Sequence, residues 1–264
     1  MRLLSFLVLG LWASGLTFSG CAPISPPGAL ADPEKPAPAK NPEVFVAAVR
    51  QEITRLEQNL PAAGTERVNA LVHLCRAYYI LGELAKTGKN ENFAKGQRYA
   101  ELILQDNPKW ADGHYWRALN QAGQAEHAGA GKALRMLPGI MEEMERAANI
   151  DPTYDQAGAH RVLGRIYCEA PSWPLSVGDI HKSLHHLSLA VQIAPKNSTN
   201  QLFLAETLLK LEKIGEARKA LEAALAAREH AIWPLGIEED HGAARRHLAK
   251  LSKRAEYKGH APSP

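Results

Sequence analysis

The chain carries eleven histidines, and the pair best spaced for chemistry is His181 and His185. On a helix their i, i+4 separation puts both imidazoles on one face, with His186 beside them, an arrangement in which two nitrogens can reach one metal ion. No cysteine lies nearby and no H-E-x-x-H pattern supplies further ligands. The pair therefore reads as solvent-facing histidines flanking Ser183, Leu187 and Ala190, and no metal or cofactor is expected. Hydrolytic and nucleotide chemistry has no better footing. There is no G-x-S-x-G, no Walker loop, no dinucleotide fingerprint and no nucleophile that can be placed beside a base, so the chain is not expected to be an enzyme.

A second constellation is built from arginines. Val72 and Arg76, Arg117 and Gln121, Arg161 and Arg165, and Leu202 and Glu206 stand at equivalent places on four helices, each pair one turn apart on the side away from the helix's partner. Four of these eight residues are arginine. Tyr79 and His114 project nearby on the same register, and Trp173 could reach over from an adjoining edge. Guanidinium forks match carboxylates, so the chemistry expected of this face is capture of an anion, either an organic acid or an acidic segment of a partner. The competing reading is that the arginines pair with Glu169, Glu206 and other local acids.

The elements that must position these residues are helix pairs. Leu204-Ala205, Leu208, Ala217, Leu221 and Ala224 form one copy of a pattern of small and large apolar residues. Leu163-Gly164-x2-Tyr167 followed by Ser183, Leu187, Ala190 and Pro195 forms another. This resembles the tetratricopeptide repeat, W-x2-L-G-x2-Y on a first helix and A-x3-F-x2-A-x4-P on a second, in which small residues let paired helices approach and proline turns the chain. Two earlier copies are more divergent. Leu71, Leu74, Cys75 and Tyr78 precede Gly96, Ala100, Ile103 and Pro108, and Trp116, Leu119, Asn120 and Gly123 precede Ile140, Met144, Ala147 and Pro152. Strand signals are missing. The fold expected is all-α, a right-handed superhelix of about four helix pairs lined by its first helices.

An N-terminal helix over Pro42 to Leu60, with Asn41 as N-cap and Val46, Val49, Ile53, Leu56 and Leu60 inward, should precede the stack. A final helix over Ile237 to Tyr257, carrying His241 and His247, should cap it through Leu248 and Leu251; its run of Arg245, Arg246, Lys250, Lys253 and Arg254 reads as a solvated face, with a membrane-surface role as the alternative. Within this domain, 43–258, the spacing from the first-helix tyrosine place to the second-helix alanine place is 9 in the fourth repeat but 18, 17 and 16 in the others. The added residues, at Gly88 to Asn92, Ala128 to Gly131 and Ala170 to Gly178, fall at one edge and are expected to form a lip. Gly129, Gly131, Pro171 and Pro174 argue for true loops in at least two of them. Pro138-Gly139 should begin or kink its helix.

A narrower resemblance covers Ala111 to Leu211. Tyr115-Trp116-x-Ala118, Ala147-x3-Asp151-Pro152-x-Tyr154, Gly158-Ala159-His160 running to Tyr167, and the loop Pro171 to Gly178 before Asp179-x2-Lys182-Ser183 are similar to the T-component family of TRAP-transporter lipoproteins. That resemblance implies an accessory component working with a periplasmic solute-binding subunit. The alternative is a general scaffold for protein segments in cell-envelope assembly.

The start of the chain reads as an export signal over residues 1–20, with Arg2 before an apolar run from Leu3 to Phe18 and Ser19-Gly20-Cys21 at its end. It resembles a bacterial lipobox, which implies acylation (palmitate) at Cys21. Ala22, in place of aspartate, implies the periplasmic side of the outer membrane. Residues 21–42 hold Pro23, Pro26, Pro27, Pro33, Pro36, Pro38 and Pro42, a tether that would reach roughly 65 Å in polyproline II form. Residues 259–264 read as a tail. Cys75 and Cys168 sit at unlike repeat places and read as buried free thiols. With a formal charge of +3, bulk electrostatics argue for no nucleic acid.

Overall fold

The computed structural model describes residues 42–229 and 236–259. The signal over 1–20, Cys21, the tether up to the expected Asn41 cap and the tail beyond 259 lie outside them. The described residues form ten helices: α1 (Pro42–Gln58), α2 (Gly64–Leu84), α3 (Lys89–Asp106), α4 (Ala111–Glu126), α5 (Ala130–Ile150), α6 (Tyr154–Glu169), α7 (Ile180–Ile193), α8 (Ser198–Lys210), α9 (Ile214–Ala226) and α10 (Gly236–Gly259). Helices α2 to α9 pack as four consecutive pairs, with α1 on α2 at one end and α10 on α8 and α9 at the other. First helices also touch first helices, α2 on α4, α4 on α6 and α6 on α8. Among the described residues no second helix touches the next second helix. This asymmetry bends the row of pairs into a tetratricopeptide-like superhelix with α2, α4, α6 and α8 on the inner side.

Burial follows the repeat register. Leu71, Leu74, Cys75 and Tyr78, then Trp116, Leu119 and Asn120, then Leu163 and Tyr167, then Ala205 and Leu208 are all buried, as are Ala100, Ile103, Ile140, Met144, Ala147, Ser183, Leu187, Ala190, Ala217, Leu221 and Ala224 on the second helices. On α1 the inward stripe is Phe45, Val49, Ile53 and Leu56, one position round from the expected Val46, which packs at its margin. Cys75 and Cys168 are buried free thiols.

Phe93 of α3, which has no signature place, is the wedge of the first two pairs. Its ring fills the space left by two missing side chains, for a Cβ at Gly82 or at Gly123 would come within 2.4 Å of its Cε1. Two glycines on neighbouring first helices are thus required by one phenylalanine on a second helix. The same device recurs where Gly164 admits Leu187 and Gly158 admits Tyr115.

The expected lip is largely absent. In the first two repeats the extra residues extend the helices themselves, leaving only short turns ahead of Lys89 and Ala130. Gly88 and Gly129, with φ of 70° and 79°, turn the chain there. An added turn on each of two antiparallel helices takes about 7 residues and keeps every facing residue in place, so lengthening costs no register. Pro138 does not begin α5, which runs through it. The one hydrogen bond lost is offset by the burial of Leu137 and Ile140 on the turns around it. Only Ala170–Asp179 is a loop, closed by Gly178 N–H donating to Pro171 O and Asp179 N–H to Tyr167 O, both at 2.9 Å. Asp179 then caps α7, its Oδ1 accepting from His181 N and Lys182 N.

Replacing Gly123 with alanine is expected to push Phe93 out of its slot and cost about 1–3 kcal/mol. Adding Phe93→Leu should recover part of that loss. Urea unfolding of the single and double variants checks it, and strict additivity would place the conflict elsewhere.

Candidate partner-binding face

The inner first helices do not all present the residues that register assigns to them. Arg161 is 0% exposed, closed in where α6, α4 and α8 meet. Its Nη2 donates to Asp155 Oδ2 at 2.7 Å and to the Tyr115 hydroxyl at 3.3 Å, and its Nη1 donates to the carbonyls of Asp155 and Gln156 and to Asn200 Oδ1. Tyr115 in turn donates to Asp155. Burial pushes the Asp155 carboxyl above its ordinary range, opposed chiefly by the Arg161 charge and the Tyr115 hydrogen bond.

What Arg161 holds is a turn of unusual backbone. Asp155, Gln156 and Ala157 have φ of 48°, 56° and 63°, three successive left-handed residues, none of them glycine. Such residues cost about 1–2 kcal/mol each, and the directional bonds to their carbonyls keep them in place. Asn200 Nδ2 adds a bond to Gln156 O at 3.1 Å and another to Ala190 O. Asn197, which caps α8 through Asn200 N–H, donates to the Gln156 side chain.

Tyr79 and His114 are also inside. Tyr79 lies against Phe93 and Trp116, with ring centroids 5.6 and 6.3 Å away. It sits between first helices because it follows Tyr78 by about 100° around α2. His114 bridges Glu143 Oε2 at 2.7 Å and Pro108 O at 2.9 Å, tying the proline turn to α5. Trp173 does not fold over the inner face; it stands in solvent on the Ala170–Asp179 loop, 85% exposed. His181 and His185 are exposed, as solvent-facing histidines should be.

The remaining residues do share an accessible face. Arg76, Arg117, Gln121, Arg165 and Glu206 are each half-buried. Arg117 pairs with Glu143, and Arg165 with Glu206 and, at 3.4 Å, with Glu169. The Arg165 guanidinium also lies over the Phe203 ring, 4.5 Å from its centroid. Burial works to raise the Glu143 carboxyl, but His114 and Arg117 outweigh it and hold it below its ordinary range. At Glu206 burial is likewise outweighed, there by His247 and Arg165. His247 reaches Glu206 from α10 at 3.1 Å, so the capping helix joins the same chain of charges. The pairs leave one kind of donor unused, for Nε of Arg117 and of Arg165 is buried and makes no hydrogen bond among the described residues. Among those residues no group of three or more His, Cys, Asp or Glu side chains converges on a metal position.

Comparison with known proteins bears on both the sequence and the architecture. A family model described as regulator of microtubule dynamics protein 1-3 matches residues 47–170, from α1 to the end of α6. Regulator of microtubule dynamics protein 3 of Rattus norvegicus is 27% identical over 192 residues, taking in 66% of this chain; the chain spans 40% of the length of that relative. A solved structure of TTC0263, a thermophilic TPR protein of Thermus thermophilus, superposes with a TM-score of 0.54 at 18% identity, over 75% of this chain and 89% of that one. The structural likeness establishes a tetratricopeptide-like fold.

Arg161→Ala leaves Asp155 buried without its partner and the left-handed turn without its donors. It is expected to cost about 3–5 kcal/mol. Removing the pair together, as Arg161→Met with Asp155→Leu, should cost less than Arg161→Ala alone. Denaturant unfolding of both proteins tests this.

Proposed function

We propose that this protein is a non-catalytic binding scaffold whose inner face, built by α4, α6 and α8, takes an acceptor-rich, acidic segment of a partner protein or an organic acid. The observation that carries the reading is the pair of half-buried arginines Arg117 and Arg165, two guanidinium groups already fixed by ion pairs with Glu143 and Glu206 while part of each side chain stays at the surface of the inner face. Gln121, half-exposed on α4, adds an amide to the same face. The relative named for microtubule dynamics carries a protein assembly in its name, which favours a protein partner over a free small molecule. A periplasmic solute-binding subunit of a TRAP-type system, the narrower partner, is supported by the motif resemblance over Ala111 to Leu211 alone.

In the same proposal the scaffold is held on the periplasmic side of the outer membrane by an acyl group on Cys21, with the proline-rich segment as its tether. The Ser19-Gly20-Cys21 motif supports this. Among the described residues no helix is long and apolar enough to cross a membrane.

Full-length protein extracted from envelope membranes in mild detergent should bring down a partner identifiable by mass. Calorimetry with that partner should then show Arg117→Ala and Arg165→Ala each losing about 1.5–3 kcal/mol of affinity. If both folded variants bind as the parent does, the site lies off this face. Separately, Cys21→Ser should remain unprocessed or be released from the membrane fraction. Normal processing with unchanged detergent-dependent association would refute the acyl anchor.

A further inference from the structure

At the third pair two imidazoles from different helices meet nitrogen to nitrogen. Nδ1 of His160 on α6 lies 3.0 Å from Nδ1 of His186 on α7, with ring centroids 5.3 Å apart and planes at 36°. Tyr167 stacks on His186 at 5.6 Å and 15°, and the His185 ring stands edge-on to it at 5.4 Å. The His186 ring is therefore held by its neighbours as well as by α7. Burial lowers the pKa of both histidines, that of His186 to about 4 with His160 adding to the effect.

The geometry points to a site for a divalent first-row transition ion, zinc or copper in class, held by Nδ1 of His160 and Nδ1 of His186. A zinc–imidazole bond is about 2.0–2.1 Å long, so two nitrogens on one ion stand about 2.9 Å apart at a right angle and about 3.3–3.4 Å apart at the tetrahedral angle. The separation already present falls between these values, and the ion enters between the rings with little movement of α6 against α7. The protons balance without loss. The ring that now donates its Nδ1–H takes the other tautomer, carrying its proton on Nε2, so both Nδ1 lone pairs face the ion. Water fills the remaining positions, which makes this an open, exchangeable site. Calcium and magnesium, which require oxygen ligands, are excluded by the donor set. The sequence spacing points to His181 and His185 on one helix. The fold instead pairs His186 with a residue 26 positions away.

Zinc titrated into the full chain, purified without a polyhistidine tag, should show one saturable site by calorimetry and raise the melting temperature reversibly with EDTA, since the ion cross-links α6 and α7. His160→Gln and His186→Gln should each weaken zinc binding about tenfold or more, while His181→Gln binds as the parent does. No saturable binding by the parent, parent-like binding by either of the first two variants, or loss of binding in His181→Gln would overturn the assignment. If a variant fails to fold, imidazole nitrogen NMR of the unmodified protein decides: zinc must shift Nδ1 of both His160 and His186, and unmoved resonances refute the site.

Discussion

The ion pair of Arg161 with Asp155 is the constraint on which the second half of the molecule hangs. Apolar burial divides into two clusters, one running from Phe45 to Ala170 and the other from Leu187 to Leu251, and the pair lies at the junction between them. Hydrophobic contact has little directional preference, so it alone would leave the fourth helix pair free to settle in several orientations. A planar guanidinium with bonds to Tyr115, Asp155, Gln156 and Asn200 does not permit that. It ties α4, α6 and α8 to one another and holds the left-handed turn at the head of α6. Smaller polar contacts extend the seam, from Ser183 Oγ to Thr207 Oγ1 at 2.9 Å and from Lys210 Nζ to Cys168 O at 2.8 Å.

The packing of the stack was legible in the sequence because it depends on residue size at fixed intervals. Small residues at Gly164, Ala190 and Ala224 can be read directly, since a close helix approach admits little else. What could not be read was where a longer repeat puts its extra residues. Gly129 is compatible with a loop and with a single left-handed turn residue, and only the partner helix decides between them. Phe93 escaped notice for a related reason. Its importance comes from Gly82 and Gly123 on two other helices, a three-body fit that no periodicity in one segment reveals.

The binding face was less legible. Equivalent register places predict equivalent directions, which held for Arg117 and Arg165 but not for Arg161, because α4 and α8 close over it. Asn197 and Asn200 gave no sign of their role, for one donates to the side chain and the other to the carbonyl of Gln156, in a turn that has no glycine to announce it. His114 was misplaced because an acid 29 positions away draws it toward α5. In each case a side chain with hydrogen-bonding capacity followed its partner rather than its helical phase.

The uneven helix lengths have a consequence for directionality. The longest helix of each successive pair has 21, 21, 16 and 13 residues, so the flank of the superhelix descends from about 32 Å to about 20 Å. A groove with such a taper is not the same read from either end. An extended segment laid along it meets a deep wall beside α2 and a shallow one beside α8, and reversing the segment exchanges which of its ends is enclosed. Polarity of the bound chain would then be selected by the relief of the scaffold itself, before any individual side chain is matched.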